Sequence, residues 1–227
     1  MSNIKKKLII VGSILFVILA ASTTLIGSGA KKIPGTYSER PIVKNAGLVE
    51  LNAPFISQKE IKAWNGCEAA SLLQAFHLKG VLLKTNLRSF LAQMPISKDN
   101  NPYNGYAGSP YIKNQSGVFQ TIFPKPLAKW GSKYHKVTDI SGSSTNELKK
   151  QVKAGNPVIT YIISYYEKPS YQKYFWGTGI TNSHVVLLDG YERGYYHVSD
   201  PNRGKYWVKG SRFEAAYNYK KYAVAVQ

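Results

Sequence analysis

Only one of the 227 residues is cysteine, two are methionine and 12 are acidic, against 30 lysines and arginines. A single thiol, Cys67, cannot close a disulfide within the chain, so a cystine-stapled fold is excluded. A lipid-modified N-terminus is excluded too, because that route needs a cysteine close to a cleavage site. Four histidines, badly spaced and backed by one thiol, make no recognisable zinc site, and no cofactor is expected. Internal repeats, low-complexity tracts and a nucleotide-binding loop are also missing.

The shortage of acidic residues leaves a net charge of +18. Setting aside Lys5, Lys6 and Lys7 near the start leaves 27 basic residues against 12 acidic, a net of +15. That balance favours anionic partners such as a cell-wall polymer or an anionic membrane surface, and it equally describes a solvated basic surface that keeps an exported protein soluble. The lysines are scattered and no binding motif accompanies them, so no nucleic acid is expected as a partner.

Charge is absent altogether from Leu8 to Ile26, a run of 19 mostly apolar residues behind the three lysines. Its length approaches the ~20 residues that cross a bilayer as a helix. Small residues at Ala20-x-Ser22 and Ser28-x-Ala30 also offer cleavage sites. Residues 1–30 are therefore expected to be an export signal, either a cleaved signal peptide or a retained membrane anchor. The chain beyond about Lys31 is then extracytoplasmic, secreted or anchored to the cell membrane by residues 8–26. Residues 31–50 mix charge, proline and glycine without a period and are expected to be a linker. Residues 51–227 are too few for two ordinary domains and suffice for one core.

Within that domain the hydrophobic pattern changes character halfway. From Cys67, the residues Ala69, Leu72, Leu73 and Phe76 recur at helical spacing, with Asn65 or Gly66 as cap and Gly80 past the end. A shorter helix is predicted over 85–94, another over 117–130 interrupted by Pro124 and Pro126, and a third in "STNELKKQVKAGNP", capped by Ser144 or Thr145 and stopped by Gly155. The stretch 97–117, dense in Asn, Gly, Pro and Tyr, is predicted to be an ordered binding loop. Five strands follow, "VITYIIS", "HVVLLDGYE", "YYHVSD", "KYWVKG" and "YAVAV", with a short helix in "SRFEAAYNY" between the last two. The fold class is α+β, a helical front half packed on an antiparallel sheet.

The lone thiol sits at the first turn of the first helix, where unpaired N–H groups and the helix dipole favour a thiolate. Glu68 next to it works against this slightly, and its side chain is expected to project away from the sulfur. A thiol nucleophile needs a base and the base needs an orienting group. His77 is about 15 Å along the same helix and cannot serve. His135 is expected at the surface, and His197 lies inside a strand. His184 opens the strand "HVVLLDGYE" at its edge. A hairpin turning at Arg193-Gly194 sets residues whose numbers sum to roughly 384–388 opposite one another, which places Asp200 close to His184. Cys67, His184 and Asp200 thus form a candidate nucleophile, base and orienter. The N–H of Cys67 and the side chain of Gln58 are candidate oxyanion donors.

With these residues assembled, the chain resembles the papain-like cysteine peptidases of family thirty-nine, closer to their stand-alone branch than to the transporter-fused leader peptidases. The resemblance rests on "APFISQ", "NGCEAASL", "NPYNGYAGSPY", "AGNPVITYI", "NSHVVLLDGYE", "YYHVSDP" and "YWVKGSRFEAAYN" and covers nearly all of residues 51–227. It implies a papain-like fold and a cysteine peptidase acting on a peptide or protein, with Cys67 as nucleophile, His184 as base and then acid, Asp200 as orienter and Gln58 as oxyanion donor. Two departures stand out. The spacing from Gln58 to Cys67 is longer than in the leader-peptidase branch, and Glu68 stands where many relatives of that branch have glycine, which is expected to affect substrate access more than chemistry. A transamidase using the same thioester, or a surface binding module with a vestigial triad, are the alternatives.

Overall fold

The computed structural model of the chain describes residues 47–227. The expected export segment 1–30 and residues 31–46 lie outside the described residues. Among the described residues no helix is long and apolar enough to cross a membrane.

The first strand, β1 (Val49–Glu50), is formed by the last two residues of the 31–50 stretch. An extended loop then leads to α1 (Cys67–Leu78), whose Ala69, Leu72, Leu73 and Phe76 are all buried, as the helical spacing requires. Gly80 ends it with φ +75°: its N–H bonds to the His77 carbonyl while that of Val81 reaches back to Phe76, a closure that needs a left-handed residue. Helix α2 (Leu87–Leu91) is shorter than the predicted 85–94 and is capped by the Asn86 side chain on the Ser89 amide.

Helix α3 (Pro124–Gly131) corrects the expectation of a proline-interrupted helix over 117–130. The two prolines fall in its first turn, where N–H groups have no intrahelical partner, so they begin the helix instead of breaking it. After β2 (Val137–Asp139), α4 (Thr145–Lys153) carries the full capping box of Ser144 and Glu147. Strand β3 (Val158–Ile163) ends in a tight turn where Tyr165 and Tyr166 both have positive φ, 57° and 58°. Then come the hairpin β4 (Tyr171–Tyr174) and β5 (Gly177–Ile180), β6 (Ser183–Glu192), β7 (Tyr195–Asp200), β8 (Gly204–Lys209), α5 (Gly210–Asn218) and β9 (Ala223–Val226).

The main sheet runs β2-β9-β3-β6-β7-β8, with β1 continuing the β3 edge of β6 at Tyr191 and Gly190. All its pairings are antiparallel. Helices cover both faces, which is why β3, β6 and β9 are apolar on both sides and not in alternation. Val185, Leu187 and Ile159 join the core under α1, α2 and α3, whereas Val186, Leu188 and Ile162 join a second core with residues of α4 and α5. Each such side chain contributes about 1.5–3 kcal/mol by leaving water. Helix α1 is fastened across β6 and β7 by polar side chains: Ser71 donates to the Val185 carbonyl at 3.4 Å, and Ser199 donates to Gln74 at 2.6 Å. This brings the N-terminus of α1 to the end of the sheet where β6 begins and β7 finishes.

Candidate active site

Cys67 is the first residue of α1, capped by Gly66, which has no side chain to offer. Asn65, the other candidate cap, instead grips the neighbouring loop through the carbonyls of Ile112 and Lys113, at 2.7 and 3.2 Å. A Cβ on Gly66 would lie 3.0 Å from that of Ala63, so the approach of the chain to the helix is tight here.

The sulfur's surroundings differ from the sequence expectation. Glu68 does not project away: it is buried, and the Cys67 thiol donates to its Oε2 at 3.3 Å. Its Oε1 accepts from the Thr121 hydroxyl and from the Ile122 amide at 3.2 Å. Burial pushes the Cys67 thiol well above its ordinary range and the Glu68 carboxylate adds to this, while the Val185 backbone works in the other direction. Burial also raises the Glu68 carboxyl, against the lowering effect of the Thr121 hydroxyl and other donors.

His184 and Asp200 are brought together. His184 Nε2 lies 2.7 Å from Asp200 Oδ1, with both side chains buried. Asp200 is densely held: its Oδ1 also accepts from the Asn202 amide at 2.8 Å, and its Oδ2 from Arg203 Nε at 2.6 Å and the Tyr206 hydroxyl at 3.0 Å. Burial alone would push this carboxyl up, but His184, Arg203 and the Asn202 amide outweigh it and hold it well below the usual carboxylate range. Arg203 is itself caged, its guanidinium 4.8 Å from the Tyr165 ring and 5.3 Å from that of Tyr206. The left-handed Tyr165 and Tyr166 cost about 1–3 kcal/mol each, and the cage they help build accounts for a turn this strained.

The remaining ring nitrogen of His184, Nδ1, makes no hydrogen bond among the described residues. Its ring and the sulfur line one cavity of about 610 Å³. One wall of that cavity is residues 113–121, the end of the tyrosine-rich region; another comes from Gln172 and Tyr174 of the β4–β5 hairpin. Gln58 lines it too. Its Nε2 donates to the Trp64 carbonyl at 2.9 Å, which uses one of its two hydrogens. Its backbone N–H bonds to the Pro201 carbonyl at 3.1 Å, tying this loop to the turn after Asp200.

The other histidines are placed elsewhere. His77 meets the Leu82 carbonyl at 3.0 Å. His135 is half-buried, not at the open surface, because it follows α3 against the sheet edge. His197 forms a second buried pair, Nδ1 to Asp189 Oδ1 at 2.6 Å, and Asp189 is fixed by the Ala53 amide at 2.7 Å. Asp189 is five residues along β6 from His184, roughly 17 Å away, so this pair fastens β1 and the sheet and does not reach the cavity. The sequence gives little sign of the roles of Arg203 and Tyr206 beside Asp200, beyond an arginine three residues after it in a turn.

Residues 50–225 match the Peptidase_C39 like family. In the crystal structure of a C39-like peptidase from Bacillus anthracis, 24% identical, the likeness covers 80% of this chain and 98% of that one with a TM-score of 0.69, so the two share a fold. A double glycine motif protease from an AMS/PCAT transporter, solved with its leader peptide, is 16% identical over 78% of this chain and 92% of that one, with a TM-score of 0.46. The uncharacterized protein YvpB of Bacillus subtilis is 27% identical over 153 residues, 62% of this chain and 59% of that relative's length.

Proposed function

The chain belongs to the Peptidase_C39 like family, and from that premise we propose that it is a cysteine-type peptidase working through Cys67, His184 and Asp200. The observation that carries this reading is the 2.7 Å bond from His184 Nε2 to Asp200, which leaves Nδ1 without a partner beside the sulfur's cavity. In the proposed reaction Nδ1 takes the proton of the Cys67 thiol, and the sulfur adds to the carbonyl carbon of a peptide. Asp200 fixes the ring and stabilises the imidazolium. The oxyanion is met by the Cys67 N–H, unpartnered within the helix because it opens α1, and by the second Nε2 hydrogen of Gln58. His184 returns the proton to the leaving amine. Water, deprotonated by His184, then cleaves the thioester and restores the thiol.

The substrate is a peptide or protein that lies along the cleft between residues 113–121 and the β4–β5 hairpin. The basic balance of the chain and the apolar run 8–26 support an extracytoplasmic setting, in which an anionic wall polymer or membrane surface is a second partner. The test is incubation of the protein with a diverse peptide library and mass-spectrometric reading of cut sites, beside Cys67→Ala and His184→Gln. Cleavage by the wild type and none by either variant is expected. Cleavage that persists in Cys67→Ala, or no cleavage of any peptide by the wild type, overturns the reading.

A further inference from the structure

The Cys67 thiol donates its hydrogen to Glu68 and not to His184. Glu68 is buried, and among the described residues no lysine or arginine pairs with it. Its other oxygen is clamped by the Thr121 hydroxyl and the Ile122 amide, from a segment more than fifty residues away in sequence. The clamp leaves Oε2 little freedom to do anything but face the sulfur. A carboxylate so placed accepts the S–H and repels a thiolate; a carboxylic acid in the same place donates to a thiolate and stabilises it.

We propose that Glu68 is a positioning residue that parks Cys67 as a thiol while its carboxylate is ionised and releases the nucleophile when it takes up a proton. The inference rests on the reading of Cys67 as nucleophile. On release, the incoming proton binds Oε2, which turns from acceptor to donor. The thiol proton passes to His184 Nδ1, leaving a thiolate paired with imidazolium. No proton is lost or created beyond the one taken from solvent.

The groups facing this pair sharpen the argument. From the loop before α3 comes Tyr106 and from β3 comes Tyr161, both with hydroxyls raised far above their usual range by burial, so both stay neutral while Glu68 titrates. From β6 and β7 come His184, on the same cavity, and Asp200, which stays ionised and opposes a thiolate. Glu68 is then the carboxyl in hydrogen-bonding contact with the sulfur, and burial raises it from its ordinary range. Activity is accordingly expected to fall as Glu68 ionises.

Because the chain has a single cysteine, alkylation by iodoacetamide reports on Cys67 alone. The experiment measures the alkylation rate of the full-length protein from about pH 4 to about pH 10 for wild type, Glu68→Gln and Thr121→Val. In Glu68→Gln the thiol titration is expected to fall by at least about one pH unit, a rise of roughly tenfold in rate at neutral pH. Thr121→Val, which removes one donor that favours the carboxylate, is expected to shift it the same way by less. Peptide cleavage by Glu68→Gln is expected to persist to higher pH than in wild type. Superimposable titrations of wild type and Glu68→Gln overturn the proposal; if Glu68→Gln does not fold, an unshifted Thr121→Val profile overturns it. Absent cleavage with a shifted titration sinks the peptidase reading, whereas cleavage with an unshifted titration sinks only the role of Glu68.

Discussion

His184 and Asp200 are bonded at 2.7 Å without being cross-strand partners. The register of β6 and β7 sets Leu187 opposite Ser199, which carried one step further sets Asp200 beside Val186. His184 is the diagonal neighbour, two residues on along the same face, a separation that a long side chain spans. The diagonal offset is what lets Asp200 take His184 on one oxygen and Arg203 and Tyr206 on the other.

Asp200→Asn keeps the shape of this network and removes the charge that orients His184. The loss expected in kcat/KM is about two to four powers of ten, with KM little changed, since the proposed role lies in the transition state and not in substrate binding. Steady-state kinetics on any cleaved peptide measures it, and a variant as active as wild type contradicts the role.

Arg203→Met takes away one of the groups that keep the buried Asp200 ionised. A depressed carboxylate contributes stability above its ordinary titration range near ~4 and loses it as pH falls toward the folded-state value. The variant is therefore expected to be less stable at neutral pH by about 3 kcal/mol, the low end for a broken buried pair because His184 and Tyr206 still bond Asp200. In acid the difference should shrink. Urea denaturation at about pH 7 and about pH 3 checks it, and an equal difference at both pH values counts against the assignment.

Gln58→Ala removes the proposed side-chain oxyanion donor while leaving its backbone bonds to Pro201 and Ala63 in place. A fall of about 10²–10³ in kcat is expected. A fall confined to KM would instead make Gln58 a wall of the cleft.

Gly190 is the close approach of β6 to its neighbours at the register shift between Leu188 and Gly190. A Cβ there would stand 2.9 Å from the His197 Cβ and 2.9 Å from the Val49 carbonyl oxygen. Gly190→Ala should cost about 1–3 kcal/mol by thermal or chemical melting. It is expected to leave Cys67 alkylation unchanged, since the strain falls at the far end of β6 from His184.

Much of the fold was legible along the chain. The helix at Cys67, the capping box at Ser144 and the strands from Val158 onward are written in contacts within four residues or in the alternation of one strand. The nearness of His184 and Asp200 was legible as well, since the turn at Arg193-Gly194 sets the hairpin register to within the one-residue shift between Leu188 and Gly190. The start of helix α3 is not legible in the same way, because two prolines read as breaks in a run over 117–130 and only the fold places them in the first turn. The β4–β5 hairpin was passed over: Tyr171 is largely exposed and its glycines and aromatics show no alternation.

The sequence by itself determined the local elements, the family pattern and the singular thiol at a helix start, because each depends on neighbours a few bonds away. Only the tertiary structure decided what that thiol touches. Thr121 reaches Glu68 across 53 residues and turns its carboxyl onto the sulfur, and Arg203 packs among tyrosines from another strand and turn. Such contacts are set by how loops close over the core, and the charge state of a buried group follows from the company it finds there.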